Sequence, residues 1–388
     1  MTRYLFVVPP LVGHVDPAVG VAAELTARGH QVAWAGMPEI VGALAGRTAQ
    51  IYPCALPRGR QGEPFESPAP PCGLSALQFL WEDFLIPLGE VMAPDVLAAV
   101  EEFRPDVMVV DQQAVAGALI AERLGIPWIT SATTSAEFPG ALDGMPLVDA
   151  WLNERFDDLR SRTGDPLGGK DPRFSPHLII AFTTPELTGP VSAPSGPICF
   201  VGPSIHPRPA FGDFLWEWLD DRKLVLVSLG AANADAGAVF LAAAHAALRD
   251  RRDRLQGIIV DPADLLENAA SSSSVLVLPV VPQLELLPWC SAVVCQAGHN
   301  TVCQALWYGV PLVVAPMRDD QPVVANQVVA ADVGIRVPFG GITPERLGEA
   351  LDLVLDEPRH RKAAQHVGDA FQAAGGAAAA AQYIEAVA

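Results

Sequence analysis

The sequence predicts an α/β protein of two doubly wound parallel sheets, one in each half. Three features predict it. Short apolar runs alternate with helical stretches along the whole length, the rhythm that lays helices on both faces of a parallel sheet. The opening residues read strand, loop, helix, strand, which is a βαβ unit with a right-handed crossover. The chain has 388 residues, more than one core ordinarily holds, so two domains of about 200 residues each are expected.

Taken in order, Tyr4–Val8 is the first strand and Pro9–Val15 the loop after it. Asp16 and Pro17 read as the N-cap and first residue of a helix, which runs to Gly29 at the C′ position. Gln31–Ala35 is the next strand. Asp106–Val110 ends on Asp111, Ala114–Leu124 is a helix closed by Gly125, and Pro127–Thr130 is a strand. In the second half, Lys223–Ser228, Gly257–Val260, Val275–Leu278, Ala292–Cys295 and Pro311–Ala315 are strands between helical stretches. The Ala-rich end from Pro358 to Ala388 reads as a helix broken at Gly375-Gly376. Two segments interrupt the rhythm. Arg58–Gly73, rich in Pro and Gly, precedes an aromatic stretch, Leu74–Leu88; Pro185–Phe211 has the composition of a domain connection. The expected division is 1–205, 206–365 and a C-terminal helical segment 366–388.

Composition excludes several classes. Half the residues are hydrophobic and 18% are charged, so disorder is excluded. The formal charge is −19 with no basic run, which makes nucleic acid a poor partner. Pro9-Pro10 cuts the first apolar run too short for a signal segment, and no run reaches the roughly 18 residues of a membrane span. A cytoplasmic protein is expected. Six cysteines are scattered without a C-x-x-C, which reads as reduced, buried thiols rather than a metal site.

The chemistry concentrates in Val293–Gln327. A short strand feeds the turn Gln296-Ala297-Gly298-His299-Asn300-Thr301, and a helix follows. Small residues let the backbone approach a phosphate, and a helix N-terminus favours negative charge. Alone, this turn reads better as an ordinary strand-to-helix connection. The next strand, however, ends on Asp320-Gln321, an acid–amide pair suited to several hydroxyls at once. Diphosphate at one end and polyol at the other outline a sugar nucleotide. There is no GxGxxG, no GxxxxGK[ST] and no carboxylate cluster with metal spacing. In the first half, His14 lies where doubly wound sheets place ligands and could take a proton from a hydroxyl; a solvent-facing loop histidine fits as well. Asp111 could cap Gln113 onward, or orient His14 as the acid of a triad orients its base.

At these residues the chain resembles the nucleotide-sugar-dependent glycosyltransferases of GT-B architecture, in the bacterial natural-product and macrolide branch of the UDP-glycosyltransferase superfamily. PPLVGHVDPAVGVAAELTARGHQVAWAG resembles the family's glycine-histidine loop and first helix. PDVMVVD with GALIAERLGIPWI resembles its central acceptor-domain strands, and FVGP the start of its interdomain linker. VVPQLELLPWCSAVVCQAGHNTVCQALWYGVPLVVAPMRDDQPVVANQV resembles its donor signature. The likeness spans nearly the whole chain, and the last segment is long, ordered and specific.

The resemblance implies two Rossmann-like domains facing across a cleft, with the C-terminal helix crossing back to the N-terminal one. It implies an inverting, metal-independent hexosyltransferase that needs no cofactor beyond its co-substrate, a nucleotide-sugar donor. The acceptor would be a small apolar aglycone, and a homodimer is compatible with the pattern. His14 becomes the general base and Asp111 its partner. Val281 and Gln283 fall at the nucleobase, and Gly230 near the phosphates, with Ala231 where a threonine is common. Gln296, Gly298, His299, Asn300 and Thr301 fall at the diphosphate, and Asp320 and Gln321 at the sugar. Trp81, Phe84 and Phe138, in irregular segments of the first half, could line the acceptor pocket or belong to the core.

Two departures stand out. Gln296 occupies the place of a histidine; losing a charged donor costs on the order of 1–2 kcal/mol of leaving-group stabilisation. Gln304 stands where plant relatives have a glutamate for the ribose hydroxyls, which favours a dTDP-sugar over a UDP-sugar. Three other readings share these features: a nucleotide-sugar epimerase, a non-catalytic sugar-nucleotide-binding partner of another transferase, and a transferase that forms carbon–carbon glycosides.

Overall fold

The computed structural model describes residues 1–57, 74–138, 145–168, 171–191, 196–206, 214–230, 237–266 and 271–388. Arg58–Gly73, with Cys72, and Ala231 lie outside the described residues. The chain divides into two units. The first comprises Met1–Thr184, Pro190–His206 and Ala374–Ala388; the second comprises Pro185–Gly189 and Pro207–Ala373.

Seven strands form the sheet of the first unit: β1 (Arg3–Val7), β2 (Gln31–Gly36), β3 (Gln50–Pro53), β4 (Val107–Asp111), β5 (Trp128–Ala132), β6 (Ile179–Ala181) and β7 (Ile198–Phe200). Their order is β3-β2-β1-β4-β5-β6-β7, and every pair is parallel. Both faces are covered, so successive residues of β1 and β4 pack on opposite sides. Leu5, Val7, Met108 and Val110 meet the helices Ile86–Phe103 and Val115–Leu124. Tyr4, Phe6, Val8 and Val109 meet the helices Val12–Ala27 and Gly376–Glu385. Burying one such side chain stabilises the fold by about 1.5–3 kcal/mol.

The second unit repeats the plan. Its strands are β8 (Lys223–Ser228), β9 (Leu255–Val260), β10 (Val275–Leu278), β11 (Cys290–Cys295), β12 (Leu312–Val314) and β13 (Gly334–Arg336). The order is β10-β9-β8-β11-β12-β13, again parallel throughout. Leu226, Val293 and Leu312 pack under the helices His299–Trp307, Gln321–Ala330 and Pro358–Ala374. Val225, Val294 and Val313 pack under Ala238–Asp250 and Pro344–Asp356. Thr343 caps the last of these, accepting from Arg346 N–H at 3.4 Å.

The doubly wound α/β fold is the one the sequence predicts, and the topology has a direct consequence for the site. In each sheet the strand order reverses between two central strands, β1 and β4 in the first, β8 and β11 in the second. Ligands bind at such switch points, outside the carboxyl ends of the strands. The residues following β1 and ending β4 are therefore brought together, as are those following β8 and β11.

The C-terminal helix returns to the first unit as expected. The break falls at Gly375, where φ is 89° and only glycine is unstrained. Beyond it Ala380, Ala381 and Ile384 join the core under the first helix. Arg28 donates to Glu385 at 2.8 Å and to the Ala378 carbonyl at 3.0 Å, and His30 Nε2 lies 2.8 Å from Glu385.

Several local expectations are corrected. The first helix starts at Val12, not at Asp16, and Pro17 lies inside it. Its first turn closes because the Leu11 carbonyl accepts from both His14 N–H (3.0 Å) and Val15 N–H (3.1 Å); a proline further in removes one later bond without preventing that turn. Leu74–Leu88 is not irregular: Leu74–Gln78, a π-helical run Phe79–Leu85 and Ile86–Phe103 follow one another as helix. The described cysteines, Cys54, Cys199, Cys290, Cys295 and Cys303, are free thiols, and burial pushes Cys54, Cys290 and Cys295 up to about 12. Among the described residues no helix is long and apolar enough to cross a membrane.

Candidate functional site

At the switch point of the first sheet, Val7 of β1 pairs with Val110 of β4, so Asp111 ends its strand beside the segment that enters the first helix. His14 sits in the first turn of that helix rather than in a loop. Its Nδ1 is 2.9 Å from Asp111 Oδ1 and 3.1 Å from Oδ2. The carboxylate is 1% exposed, and a buried charge of this kind must be met by donors. One comes from Gln113 N–H, 2.9 Å from Oδ1. The two roles left open for Asp111 therefore hold at once: it caps the turn at Gln113 and it anchors His14.

Sequence reasoning missed Thr133, which follows β5. Its hydroxyl donates to Asp111 Oδ2 at 2.8 Å and lies 2.7 Å from His14 Nδ1. The available signal was the hydroxyl-rich run after Trp128-Ile129, in the strand expected beside the Asp111 strand. Gln112 ties the two strand ends: its Nε2 donates to the Thr134 carbonyl at 3.3 Å, and its Oε1 accepts from Thr134 N–H at 3.5 Å. Behind this, Gln113 Nε2 donates to Glu137 at 2.6 Å, and Arg173 Nη1 lies 4.0 Å from the same carboxylate.

The aromatic candidates are placed in or against the core. Trp81 is fully buried and edge-on to Phe156 at 5.1 Å, with the Arg173 guanidinium 5.8 Å from its ring. Phe84 is half-buried against the same cluster. Phe138 packs with Ala132, Phe174 and Ile179, its ring 6.3 Å from that of Phe200.

In the second unit, Gly230 follows β8 and Gln296 follows β11. A Cβ on Gly230 would lie 2.6 Å from Gln296 Nε2, and one on Gly298 would lie 2.9 Å from the same atom. Both glycines thus make room for one amide. Gly230 also needs its freedom for a φ of 69°. Gln296 is 7% exposed, and its Oε1 has no partner among the described residues. Gly298 is the N-cap of the helix His299–Trp307 and brings no side-chain cap of its own, and a helix N-terminus favours an anion.

The remaining donor candidates divide. His299 is buried, its Nε2 3.5 Å from Cys303 Sγ. Asn300 and Thr301 are half-buried in the first turn. Gln283 Nε2 donates to Gln304 Oε1 at 2.7 Å, which joins two candidates directly; Val281 is buried beside them in the core. Gln321 Oε1 accepts from Met317 N–H at 2.9 Å and Arg318 N–H at 3.2 Å. The sequence reading gave this amide both roles toward a polyol. Its oxygen is occupied by its own turn, so its NH2 remains the donor beside Asp320. In that turn Asp319 has a φ of 54°, and burial raises its pKa against the opposing charge of Arg318.

The chain is similar to known proteins. Residues 257–387 match the family model for the C-terminal domain of erythromycin biosynthesis protein CIII-like proteins. The demethyllactenocin mycarosyltransferase of Streptomyces fradiae is 30% identical over 409 residues, covering 99% of this chain and 86% of that one. Among solved structures, the glycotransferase of kitacinnamycin superposes with a TM-score of 0.83 at 24% identity, covering 100% and 98% of the two chains. The spinosyn rhamnosyltransferase SpnG complexed with thymidine diphosphate gives 0.77 at 23% identity, covering 99% and 100%. With a GT-B fold and a curated transferase matched along nearly its whole length, the chain belongs to the natural-product glycosyltransferases.

Proposed function

We propose that this enzyme moves a sugar from a nucleotide diphosphate to a hydroxyl of an apolar natural product, inverting the anomeric centre without a metal ion. The observation that carries the reading is the His14–Asp111 pair, 2.9 Å apart at the switch point of the first sheet. With Nδ1–H donated to Asp111, Nε2 of the neutral ring is the basic nitrogen. It takes the acceptor proton as the acceptor oxygen bonds to the anomeric carbon and the bond from that carbon to the diphosphate breaks. The electron pair leaves with the diphosphate. Asp111 stabilises the imidazolium that forms. General-base assistance of this kind is worth about 10²–10⁴ in rate.

The second unit takes the donor. The diphosphate lies at the N-terminus of His299–Trp307 with the Gln296 amide donating to it. The helix end contributes roughly 0.3–1 kcal/mol, and up to about 2 kcal/mol where partly buried. Asp320 and the Gln321 NH2 hold sugar hydroxyls. Gln283 and Gln304 lie at the base and ribose, and an amide rather than a carboxylate at 304 supports a dTDP-sugar over a UDP-sugar. The bound thymidine diphosphate of the spinosyn rhamnosyltransferase agrees with that preference.

The test is His14→Ala. Transfer from a dTDP-sugar panel should be lost while calorimetric affinity for dTDP stays within about twofold, since His14 serves the acceptor. Wild-type turnover in that variant across a pH series would remove His14 from the mechanism. A second reading, a sugar-nucleotide-binding partner without transferase activity of its own, draws on Gln296. Its signature is nucleotide binding with no transfer, even after Gln296→His.

A further inference from the structure

We propose that Thr133 is a positioning residue for the His14–Asp111 pair, whose hydroxyl holds ring and carboxylate in register and takes a share of the carboxylate's charge. The proposal rests on His14 being the base. A hydroxyl carries one hydrogen, and at 2.8 Å from Asp111 Oδ2 that hydrogen goes to the carboxylate, which can only accept. The lone pairs of Thr133 Oγ1 then face His14 Nδ1 at 2.7 Å. Nδ1 meets three acceptor oxygens, at 2.9, 3.1 and 2.7 Å. With its hydrogen on Nδ1 the ring donates into this cluster; with the hydrogen on Nε2, a nitrogen lone pair would face both carboxylate oxygens, and the hydroxyl would have to turn away from Asp111 to meet it. The nearest of the three is the threonine.

The hydroxyl is held in place. Thr133 is 3% exposed, and a buried hydroxyl without partners is costly. Asp111 pairs with Ser131 across β4 and β5, and the two hydrogen bonds between the Gln112 amide and the Thr134 backbone pin the segment just beyond Thr133. Thr134 Oγ1 accepts from Ala136 N–H at 3.3 Å, which closes the next turn.

Thr133 also takes part of the charge of Asp111. Without that donor the carboxylate leans harder on His14, and the ring holds its proton to higher pH. Other charged groups lie near the pair. Asp16 lies on the same helix as His14, itself 3.9 Å from His206. Glu137 and Arg173 are reached from Asp111 through Gln113.

The experiment compares the wild type with Thr133→Val, which keeps the branched shape, and Thr133→Ser, which keeps the hydroxyl. Transfer is measured from about pH 5 to 9, with 15N NMR of the His14 ring. Thr133→Val should lower kcat about tenfold or more with both KM values within about twofold, and move the acidic limb up by about half to one pH unit. The neutral His14 ring should keep its hydrogen on Nδ1 in all three, while by NMR the ring of Thr133→Val, and not that of Thr133→Ser, holds its second proton to higher pH than wild type. Thr133→Ser should recover most of the rate even if the valine variant folds poorly. A valine variant within twofold of wild type with an unmoved limb would overturn the proposal, as would a serine variant as slow as valine. Full activity in His14→Ala would instead remove the base reading beneath it.

Discussion

Replacing Gly230 by alanine separates two costs that the structure places at one residue. The first is conformational: at a φ of 69°, a side chain costs about 1–2 kcal/mol. The second is steric. The new Cβ would lie 2.6 Å from Gln296 Nε2, about 0.9 Å short of the ~3.5 Å at which such atoms meet comfortably. The amide must swing away, and the hydrogen bond proposed for it to a diphosphate, roughly 1–1.5 kcal/mol, is then lost. About tenfold weaker nucleotide binding follows. Gly298→Ala is the control. Its backbone is ordinary, at φ −64° and ψ 131°, yet its Cβ would lie 2.9 Å from the same nitrogen. It should weaken binding comparably with a smaller loss of melting temperature. Calorimetry with dTDP and UDP beside thermal melting reads both terms. If Gly230→Ala melts lower but binds both nucleotides as the wild type does, Gln296 does not touch the diphosphate.

Three further outcomes are expected. Gln296→His should gain on the order of tenfold in transfer rate near pH 6 and lose that gain above about pH 8, because an imidazolium beside phosphate helps only while charged; a flat ratio across pH would refute the charge argument. Gln304→Glu, which also removes the neutral partner of Gln283, should shift the ratio of kcat/KM values from dTDP- towards UDP-sugars, and an unchanged ratio would detach residue 304 from the ribose. Glu385, held below the usual carboxylate range by hydrogen bonds from His30 and then Arg28, stabilises the fold above its ordinary pKa, and the effect is lost as pH falls through the folded value. Glu385→Gln should therefore melt lower than wild type near pH 7, with the gap closing as pH falls below the ordinary carboxylate range; a constant gap would mean that the charge contributes nothing.

What could be read from the sequence was whatever topology decides. Alternating strands and helices predict doubly wound parallel sheets, and the order found, with β4 beside β1, places His14 by Asp111 whatever the side chains between them. The Gly375 break and the return of the C-terminal helix were legible for the same kind of reason, one from glycine's dihedral freedom and one from resemblance. Local competition was not legible. Asp16-Pro17 has the chemistry of a helix start, but the Leu11 carbonyl had already closed a turn ahead of it. β6, β7 and β13 have three residues each, too few to show a period. Thr133 is one hydroxyl in a run of them, and only the β4–β5 register selects it. Gln321 has the right functional groups for a sugar, but half of them are spent on its own backbone.

The return of residues 374–388 to the first unit makes each half of this protein discontinuous in the chain. A fragment cut near residue 206 would lack Ala380, Ala381 and Ile384, which close the sheet face bearing Tyr4 and Phe6. During synthesis the same face waits until the whole of the other unit has been made, so the first unit is completed last although it is translated first. Grafting the second unit of a relative onto this chain would therefore need junctions near 206 and near 374, and further ones on either side of Pro185–Gly189.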